Sequence, residues 1–380
     1  MNIAILADSL NTHSGSRAPI ELAKALASTN RNNVTLYIRN NYSQKNRSLL
    51  PNRIKLKLIE RKSFFKTFFS LLRDFNAENY DIMCSNATLS VFLPAALSNK
   101  PLITTYHGTQ WNVWENKFFK NKNLRLLLHF MDFFTNIFIW IKTCPIFLFS
   151  KKVITISKYT TQEGKSYYLR PSQHVYWGAA PNGFKPSSKS TQNTKLTVIS
   201  VSRITPYKGF HQLINIFRAI DPQINARLII VGSQPQKNYL NYLKKISPKN
   251  VQIIIDPPDK TLASLYKKSH LYATCDQYLF FGMPILEAAS FKLPAIALNY
   301  AAAKEVIKNK QTGFVANNLD EFKKYLELLL TDQKLRTSMG SRACLFAKKF
   351  TWEKTAQEYE KIFKNLLQKK TWTLPLLLNL

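Results

Sequence analysis

The sequence predicts an α/β protein with two doubly wound parallel sheets, and three observations lead to this prediction. The chain has 380 residues, more than one hydrophobic core usually serves. Short apolar runs alternate with helical patterns, as in parallel sheets whose strands are joined by helices. The alternation begins again after a polar, linker-like stretch, PNGFKPSSKSTQNT. We therefore expect two domains of similar size.

The first half of the chain carries the first predicted sheet. Buried strands, each closed by polar or turn-forming residues, are predicted at NIAIL, VTLYI, YDIMCSN, PLITTYHG and KVITIS. Helices are predicted between them at PIELAKALAS, SFFKTFFSLLRDF and Leu124 to Phe149. Residues 1–183 are expected to form this domain.

The second half repeats the pattern. Strands are predicted at TVISVS, ARLIIVG, VQIIID, HLYATC and PAIAL, and helices at FHQLINIFRAI, KNYLNYLKKI, TLASLYKKS and ILEAASF. Residues 184–360 are expected to form the second domain, and residues 361–380 a tail that crosses back to the first. Two such sheets would face a cleft, with ligands at the carboxyl ends of the strands.

The net charge of +32 indicates an anionic partner. The excess is even, because 25 basic and 9 acidic residues occur up to Lys185 and 29 basic and 13 acidic residues follow. Such a distribution fits an anionic membrane surface or nucleic acid. No recognised nucleic-acid-binding motif accompanies it, so we expect the membrane surface and no nucleic acid.

The termini and cysteines indicate a cytoplasmic protein. The four cysteines have neither metal-like nor redox-like spacing, which is typical of reduced thiols in the cytosol. The first residues, MNIAILADSL, predict a strand rather than a signal peptide. Together with the charge, these features predict peripheral association with the inner face of the membrane.

Two aromatic helical regions bear on this expectation. The region from Leu124 to Phe149 is too interrupted for a membrane span, because it contains Arg125, His129, Asp132, Lys142 and Pro145. An interfacial helix remains open for it. The helix SFFKTFFSLLRDF has one apolar face and flanking basic residues. Packing of that face on the sheet is the first interpretation, and membrane contact is the second.

A pair of cations marks the start of the second sheet. Strand TVISVS ends at Arg203, and Lys208 precedes a helix. A cation at a helix N-terminus opposes the helix dipole, so an external anion is expected there. A diphosphate would fit, with Arg203 as a bidentate donor and Lys208 as a point charge.

The stretch FFGMPILEAAS predicts a phosphate-binding helix N-terminus. Gly282 allows close approach of the backbone, and Pro284 suits a first helical turn. The free N–H groups and the dipole of that turn attract an anion. Glu287 lies one turn further and is suited to ribose hydroxyls, although it could also merely favour the helix dipole.

These residues carry a resemblance to the GT-B glycosyltransferases, in particular to the large retaining family four, also called glycosyl transferases group 1. The resemblance covers nearly the whole chain and includes SRITPYKGFHQLI, FGMPILEAASFKLPAIALNYAAAKEVIKNKQTGFV, PNGF, LRTSMGSRACLFAKKFTWEKTAQEYEKIF, HSGSRAPIELAKALA and TTYHG. It implies a nucleotide-sugar donor bound by the second domain and an acceptor bound by the first. It also implies transfer with retention, in which the leaving phosphate helps to deprotonate the incoming hydroxyl.

The resemblance also implies roles for individual residues. The catalytic group is His107, Arg203 and Lys208, and the acceptor side includes Gly15 and Ser16. The donor site adds Gly232, Gly282, Met283, Pro284, Ile285 and Glu287. No DxD triplet occurs in the chain, so neither a metal nor another cofactor is expected.

The sequence departs from the family pattern at three places. Leu279 stands where the family has the first of two glutamates, the one that contacts the donor sugar. Ala301 and Ala302 replace paired glycines ahead of Glu305, and the N-terminal glycine pair is reduced to Gly15-Ser16.

Two functions remain open at this point. The first is a glycosyltransferase whose acceptor is a lipid-linked saccharide in cell-surface polysaccharide assembly. The second is a catalytically silent scaffold that binds nucleotide or a partner transferase, as the loss of a donor-site glutamate at Leu279 suggests. Because Arg203, Lys208, Gly282 and Glu287 all remain, the active enzyme is favoured.

Overall fold

The computed structural model describes residues 1–8, 17–29, 31–39, 50–60, 63–87, 89–111, 125–179, 195–233 and 235–368. The chain divides into two compact units. The first comprises Met1–Thr109, Phe134–Gly178 and Trp352–Leu380, and the second comprises Gln110–Phe133 and Ala179–Thr351.

The first unit is built on a seven-stranded parallel sheet with the order β3-β2-β1-β4-β5-β6-β7. The strands are β1 Asn2–Ala7, β2 Asn33–Arg39, β3 Lys55–Ile59, β4 Ile82–Ser85, β5 Leu102–Tyr106, β6 Lys152–Thr155 and β7 Gln173–His174. The central strands are apolar and almost fully buried, as expected of a parallel sheet covered on both faces.

Six helices accompany this sheet among the described residues, and the sequence pattern predicts three of them, at PIELAKALAS, SFFKTFFSLLRDF and the region from Leu124 to Phe149. The six helices are α1 Ala18–Ser28, α2 Phe64–Ala77, α3 Leu89–Ala96, α4 Arg125–Phe149, α5 Lys158–Tyr168 and, from the end of the chain, α13 Trp352–Gln368. The first nine residues of α4, 125–133, are assigned to the second unit. Helix α13 packs against α1, and the Glu360 carboxylate accepts a hydrogen bond from the Asn32 side chain at 2.5 Å. The return to the first unit therefore begins at Trp352, nine residues before the predicted start of the tail at residue 361.

The second unit contains a six-stranded parallel sheet with the order β10-β9-β8-β11-β12-β13. Its strands are β8 Leu196–Arg203, β9 Ala226–Ser233, β10 Val251–Ile255, β11 Leu271–Thr274, β12 Ala295–Leu298 and β13 Gly313–Ala316. The order reverses between β8 and β11. Such a switch point is where open α/β sheets bind ligands, beyond the carboxyl ends of the strands.

The second unit has seven helices among its described residues, besides the start of α4, and four of the seven contribute buried residues to one hydrophobic core against the sheet. The seven helices are α6 Phe210–Arg218, α7 Lys237–Ile246, α8 Asp259–Lys267, α9 Met283–Ser290, α10 Ala303–Val306, α11 Leu319–Thr331 and α12 Gln333–Ala347. The two doubly wound parallel sheets confirm the predicted fold class, and every strand and helix named from the sequence is present.

Helix α2 packs on the core through its second half, whereas its first two turns leave aromatic side chains exposed. Leu71 and Phe75 are buried in the core, as the packing interpretation requires. Phe64, Phe65 and Phe69, in the first two turns, have 51–71% of their surface exposed. The apolar face therefore continues beyond the core into solvent.

Helix α4 exposes a longer apolar surface. Phe134, Ile137, Phe138 and Ile141 are all more than 40% exposed, and their spacing places them on one face of the helix. By length and composition, His129–Phe149 would also suffice to cross a membrane. One such helix is weak evidence for a span, since core helices and signal sequences have similar properties.

Candidate functional site

The switch point of the second sheet brings the two predicted cations together. Arg203 is the last residue of β8, and Lys208 ends a short 3-10 turn, Pro206–Lys208, that leads into α6. Strand β8 pairs with β11 on one side and β9 on the other. Residues that follow β11 therefore lie beside this turn.

Gly209 allows the turn to approach the end of β11 closely. Its φ of +68° lies in the left-handed region, and a Cβ atom there would come within 2.4 Å of the Cys275 carbonyl oxygen. A side chain would be strained and would also collide with backbone. The glycine thus fixes Lys208 next to the segment that follows Cys275.

Lys208 forms an ion pair with Asp276, a pairing that the sequence did not predict. The Lys208 Nζ and Asp276 Oδ2 atoms are 2.5 Å apart, and the two side chains are only 11% and 5% exposed. The other carboxylate oxygen, Oδ1, accepts a hydrogen bond from the Tyr278 backbone N–H at 2.9 Å. Asp276 is therefore held at both oxygens. Its position just after a strand, three residues before Leu279, is the signal that could have found it.

The Tyr207 ring lies near both cations. The Arg203 guanidinium is 5.8 Å from the ring centroid and the Lys208 ammonium is 5.1 Å from it, which are cation–π distances. The ring also packs edge-on against Tyr278, and the Tyr207 carbonyl accepts a hydrogen bond from the Gln277 N–H. Among the described residues, no carboxylate pairs with the Arg203 guanidinium. Lys208 thus has a carboxylate partner, and Arg203 has none in the part of the chain that the structure describes.

The N-terminus of α9 has the geometry that the sequence predicts. Gly282 is the N-cap residue with a φ of +91°, and Pro284 occupies the first turn. No side chain of the described residues caps this end of the helix. The Ile285 N–H turns back to the Gly282 carbonyl at 3.0 Å, and the Met283 and Ile285 side chains are buried. Any contribution of Met283 to a ligand therefore comes from its backbone.

Glu287 is positioned by a tyrosine from α8. The Tyr266 hydroxyl donates a hydrogen bond to Glu287 Oε2 at 3.1 Å, and the glutamate is only 7% exposed. A carboxylate this deeply buried is not a simple dipole-stabilising surface residue. The hydrogen bond fixes one oxygen and so sets the direction of the carboxylate.

Leu279 lies in an apolar setting. It is 5% exposed, and its Cδ1 atom lies 3.3 Å from the position of a Cβ atom built on Gly282. The leucine therefore lines the loop before α9 with hydrocarbon where the family has a carboxylate. Gly232, in turn, makes room for Ile204, whose Cδ1 would lie 2.1 Å from a Cβ at this position.

His107 follows β5 in the first unit. Its Nε2 atom is 3.0 Å from Asn86 Oδ1, and its ring packs edge-on against Trp177. Burial lowers the pKa of His107 to about 4, so the imidazole is neutral at pH 7. A neutral ring that donates from Nε2 to the amide oxygen keeps Nδ1 as an acceptor. Asn86 Nδ2 is buried and has no hydrogen-bond partner among the described residues.

The predicted acceptor-side residues Gly15 and Ser16 lie outside the described residues, as does the PNGF segment. His107 belongs to the first unit, whereas Arg203, Lys208, Gly232, Gly282 and Glu287 belong to the second. The structure thus brings the donor-side predictions together at one edge of the second sheet.

The architecture of two such sheets is that of the GT-B class, and comparison with solved structures agrees. A structure of Anabaena Alr3699/HepE, described as a complex with UDP and glucose, superposes with a TM-score of 0.75 at 18% sequence identity. The match covers 96% of this chain and 100% of that one. Identity this low establishes the fold alone.

Sequence comparison finds a family model and relatives that are similar to the second unit. Residues 184–346 match the family model described as Glycosyl transferases group 1, which confirms the resemblance found in the sequence. An uncharacterised glycosyltransferase of Haemophilus influenzae is 27% identical over 188 residues, 48% of this chain and 53% of that protein. A capsular polysaccharide biosynthesis glycosyltransferase, CapM, of Staphylococcus aureus is 27% identical over 184 residues, 45% of this chain and 48% of that protein. The chain thus spans about half the length of these relatives.

Proposed function

We propose that the protein transfers a sugar from a nucleotide-sugar donor to a hydroxyl acceptor, with retention of configuration at the sugar. The observation that carries the proposal is the arrangement at the second switch point. Arg203 and Lys208 lie at the end of β8, in the same unit as the uncapped N-terminus of α9. Such a group of positive charges is suited to a diphosphate.

The same charges are suited to the chemical step. When the bond between sugar and diphosphate breaks, negative charge develops on the leaving phosphate. Donors that are already in place stabilise this charge more in the transition state than in the ground state. Arg203 would grip the diphosphate with two N–H groups, and Lys208 would act as a point charge. The proposal includes no metal.

Glu287 is proposed to accept hydrogen bonds from the ribose of the donor. Tyr266 holds one of its oxygens in place. His107 is proposed to bind the donor sugar or a nearby backbone group as a neutral imidazole. Burial lowers its pKa, so it acts through hydrogen bonds rather than charge. The leaving phosphate is proposed to help deprotonate the acceptor hydroxyl, consistent with retention.

The proposed acceptor is a lipid-linked saccharide of cell-surface polysaccharide assembly, reached at the cytoplasmic face of the membrane. The net charge of +32 and the exposed apolar face of α4 support this part of the proposal. Basic side chains attract an anionic surface, and an exposed apolar helix face can insert at the level of the headgroups. The Staphylococcus aureus relative is described as a capsular polysaccharide biosynthesis glycosyltransferase, which supports an acceptor of the same class.

The alternative is a catalytically silent scaffold that binds nucleotide, and Leu279 favours it. A buried leucine cannot contact a sugar hydroxyl as the family glutamate does. The retained cations and Glu287 favour the active enzyme instead, because a silent scaffold is free to lose donor-site contacts and this chain retains them.

Purified protein distinguishes the two functions. It is incubated with UDP-, GDP- and ADP-sugars and a lipid extract as acceptor, and release of nucleoside diphosphate is followed. Arg203→Ala serves as the inactive variant, and Lys244→Ala, at an exposed lysine of α7, serves as the control. Release by the natural protein and the control but not by Arg203→Ala supports the enzyme. Stabilisation by nucleotides without any release supports the scaffold.

A further inference from the structure

The Lys208–Asp276 ion pair places a fixed negative charge inside the proposed donor site. Asp276 follows β11 at the switch point, and its Oδ2 atom is 2.5 Å from the ammonium proposed to bind the diphosphate. Its second oxygen is held by the Tyr278 N–H, so the carboxylate cannot turn away without losing that hydrogen bond. An acid beside a phosphate-binding lysine weakens phosphate binding, and its presence therefore needs a reason.

The ammonium of Lys208 can serve both partners. It has three N–H donors, of which Asp276 uses one. A diphosphate bound by the remaining donors would then lie close to the Asp276 carboxylate. The repulsion between them increases with the charge of the phosphate group.

The substrate and the product of the proposed reaction differ in that charge. In a sugar nucleotide both phosphates are esterified, whereas the released diphosphate has a terminal phosphate that loses a further proton near pH 6. The product thus carries about one more negative charge at pH 7. The sugar also offers hydroxyl groups that can donate to a carboxylate, and the product has lost them.

We propose that Asp276 is a selectivity residue of the donor site: by sharing Lys208 with the diphosphate, it disfavours the released nucleoside diphosphate relative to the intact sugar nucleotide. This inference rests on the proposed function. It assigns to Asp276 a part in product release, and it explains why a buried carboxylate lies beside a lysine of the diphosphate clamp. Asp276 acts here through Lys208 and is a positioning residue.

The test is a ratio of dissociation constants. Binding of UDP, GDP and ADP, and of the corresponding glucose conjugates, is measured by calorimetry on the natural protein and on Asp276→Asn. Asparagine keeps the oxygen that accepts the Tyr278 N–H and removes the charge. We expect the ratio of the nucleoside diphosphate constant to the sugar nucleotide constant to fall by about five- to tenfold.

Two further variants complete the test. Asp276→Ser is a second neutral variant whose hydroxyl can also accept the Tyr278 N–H, and it is expected to lower the ratio in the same direction. Asp320→Asn removes one exposed acid from α11 and is expected to leave the ratio unchanged. A merely structural Asp276 would weaken both ligands equally and leave the ratio constant.

The outcomes separate this inference from the function on which it rests. If the natural protein binds its nucleotides and the ratio is unchanged or higher in both neutral variants, the inference is wrong and the proposed function stands. If the natural protein binds none of the six compounds, the proposed function and the inference are both wrong.

Discussion

The backbone N–H of Ala302 donates a hydrogen bond to the carbonyl oxygen of Leu279 at 3.0 Å. Two of the places where the chain departs from the family pattern that it resembles are thus in direct contact. This hydrogen bond links the loop before α9 to the turn before α10. The residue before Ala302, Ala301, has the strained backbone conformation in that turn. Ala301 has a φ of +47°, in the left-handed region that favours glycine.

Ala301→Gly is expected to stabilise the protein. Relief of the left-handed alanine gains about 1 kcal/mol, and the greater freedom of glycine in the unfolded chain offsets part of it. The net gain in free energy of unfolding should be a few tenths of a kcal/mol up to about 1 kcal/mol. Ala302→Gly is the matched control. Ala302 is fully buried and has an ordinary φ of −86°, so this variant should be less stable than the natural protein. Equal losses in both variants, measured by denaturant unfolding, would contradict the role of the backbone conformation.

Leu279 is expected to select among donor sugars. An apolar wall leaves a buried sugar hydroxyl without a partner, at a cost of about 1–3 kcal/mol. Plain hexose donors should therefore be used about tenfold less well than deoxy or N-acetylated ones. Turnover is compared across such a panel for the natural protein, for Leu279→Met as the apolar control and for Leu279→Glu. Equal use of all donors by the natural protein would disprove the expectation, and activity in the glutamate variant alone would indicate a silent scaffold.

His107 should make stability depend on pH between about 4 and 6.5. Its pKa is lowered to about 4 in the folded protein by burial, whereas in the unfolded chain it is near 6.5. Within this window the unfolded state binds more protons, so stability rises with pH and is lost as pH falls from 6.5 towards 4. The contribution amounts to about 3 kcal/mol in total.

The measurement is the free energy of unfolding of the natural protein and of His107→Gln from pH 4 to pH 7. The free energy of unfolding of His107→Gln should depend less steeply on pH, because glutamine does not take up a proton in this range. His174→Gln, at an exposed histidine of β7, controls for the loss of a histidine elsewhere. Identical slopes for His107→Gln and the natural protein would show that His107 is not held neutral by the fold.

The exposed face of α4 should control binding to anionic vesicles. Phe138→Glu and Ile141→Glu place charges on this face, where the side chains are 67% and 58% exposed, so folding should tolerate them. The fraction of protein that sediments with anionic vesicles should then be several-fold lower for these variants than for the natural protein. For the natural protein, this fraction should also decrease as the salt concentration rises. Leu345→Glu, at an equally exposed leucine of α12, is expected to bind as the natural protein does. Equal loss in all three variants would indicate a general charge effect rather than a docking face.

The sequence was sufficient for the fold because buried parallel strands are continuous apolar runs. Composition alone predicts β1 from NIAIL, β9 from ARLIIVG and β10 from VQIIID. Strand β3 was not predicted, since KLKLI alternates lysine with apolar residues at the edge of the sheet and lacks such a run. Strand β7 is only two residues long and leaves no pattern.

The candidate site could be predicted only where the local sequence determines the geometry. The glycine and proline before α9 and the cations after β8 each lie within one short segment, so their arrangement follows from local rules. The partners of those residues could not be predicted in the same way. Asp276 meets Lys208 across 68 residues, and Asn86 meets His107 across 21. These contacts depend on which strands are neighbours in the sheet.

The central claim is that Arg203 and Lys208 bind the diphosphate of a nucleotide-sugar donor. Calorimetric titration of UDP, GDP and ADP into the natural protein and the Arg203→Ala/Lys208→Ala variant tests it directly, with Lys244→Ala as a control for lost charge. We predict that at least one of these nucleotides binds the natural protein. Loss of the hydrogen bonds of Arg203 to the charged diphosphate alone should cost about 1.5–3 kcal/mol of binding free energy. The dissociation constant of that nucleotide should therefore rise more than tenfold in the double variant. A folded double variant that binds the same nucleotide with unchanged affinity would contradict the account.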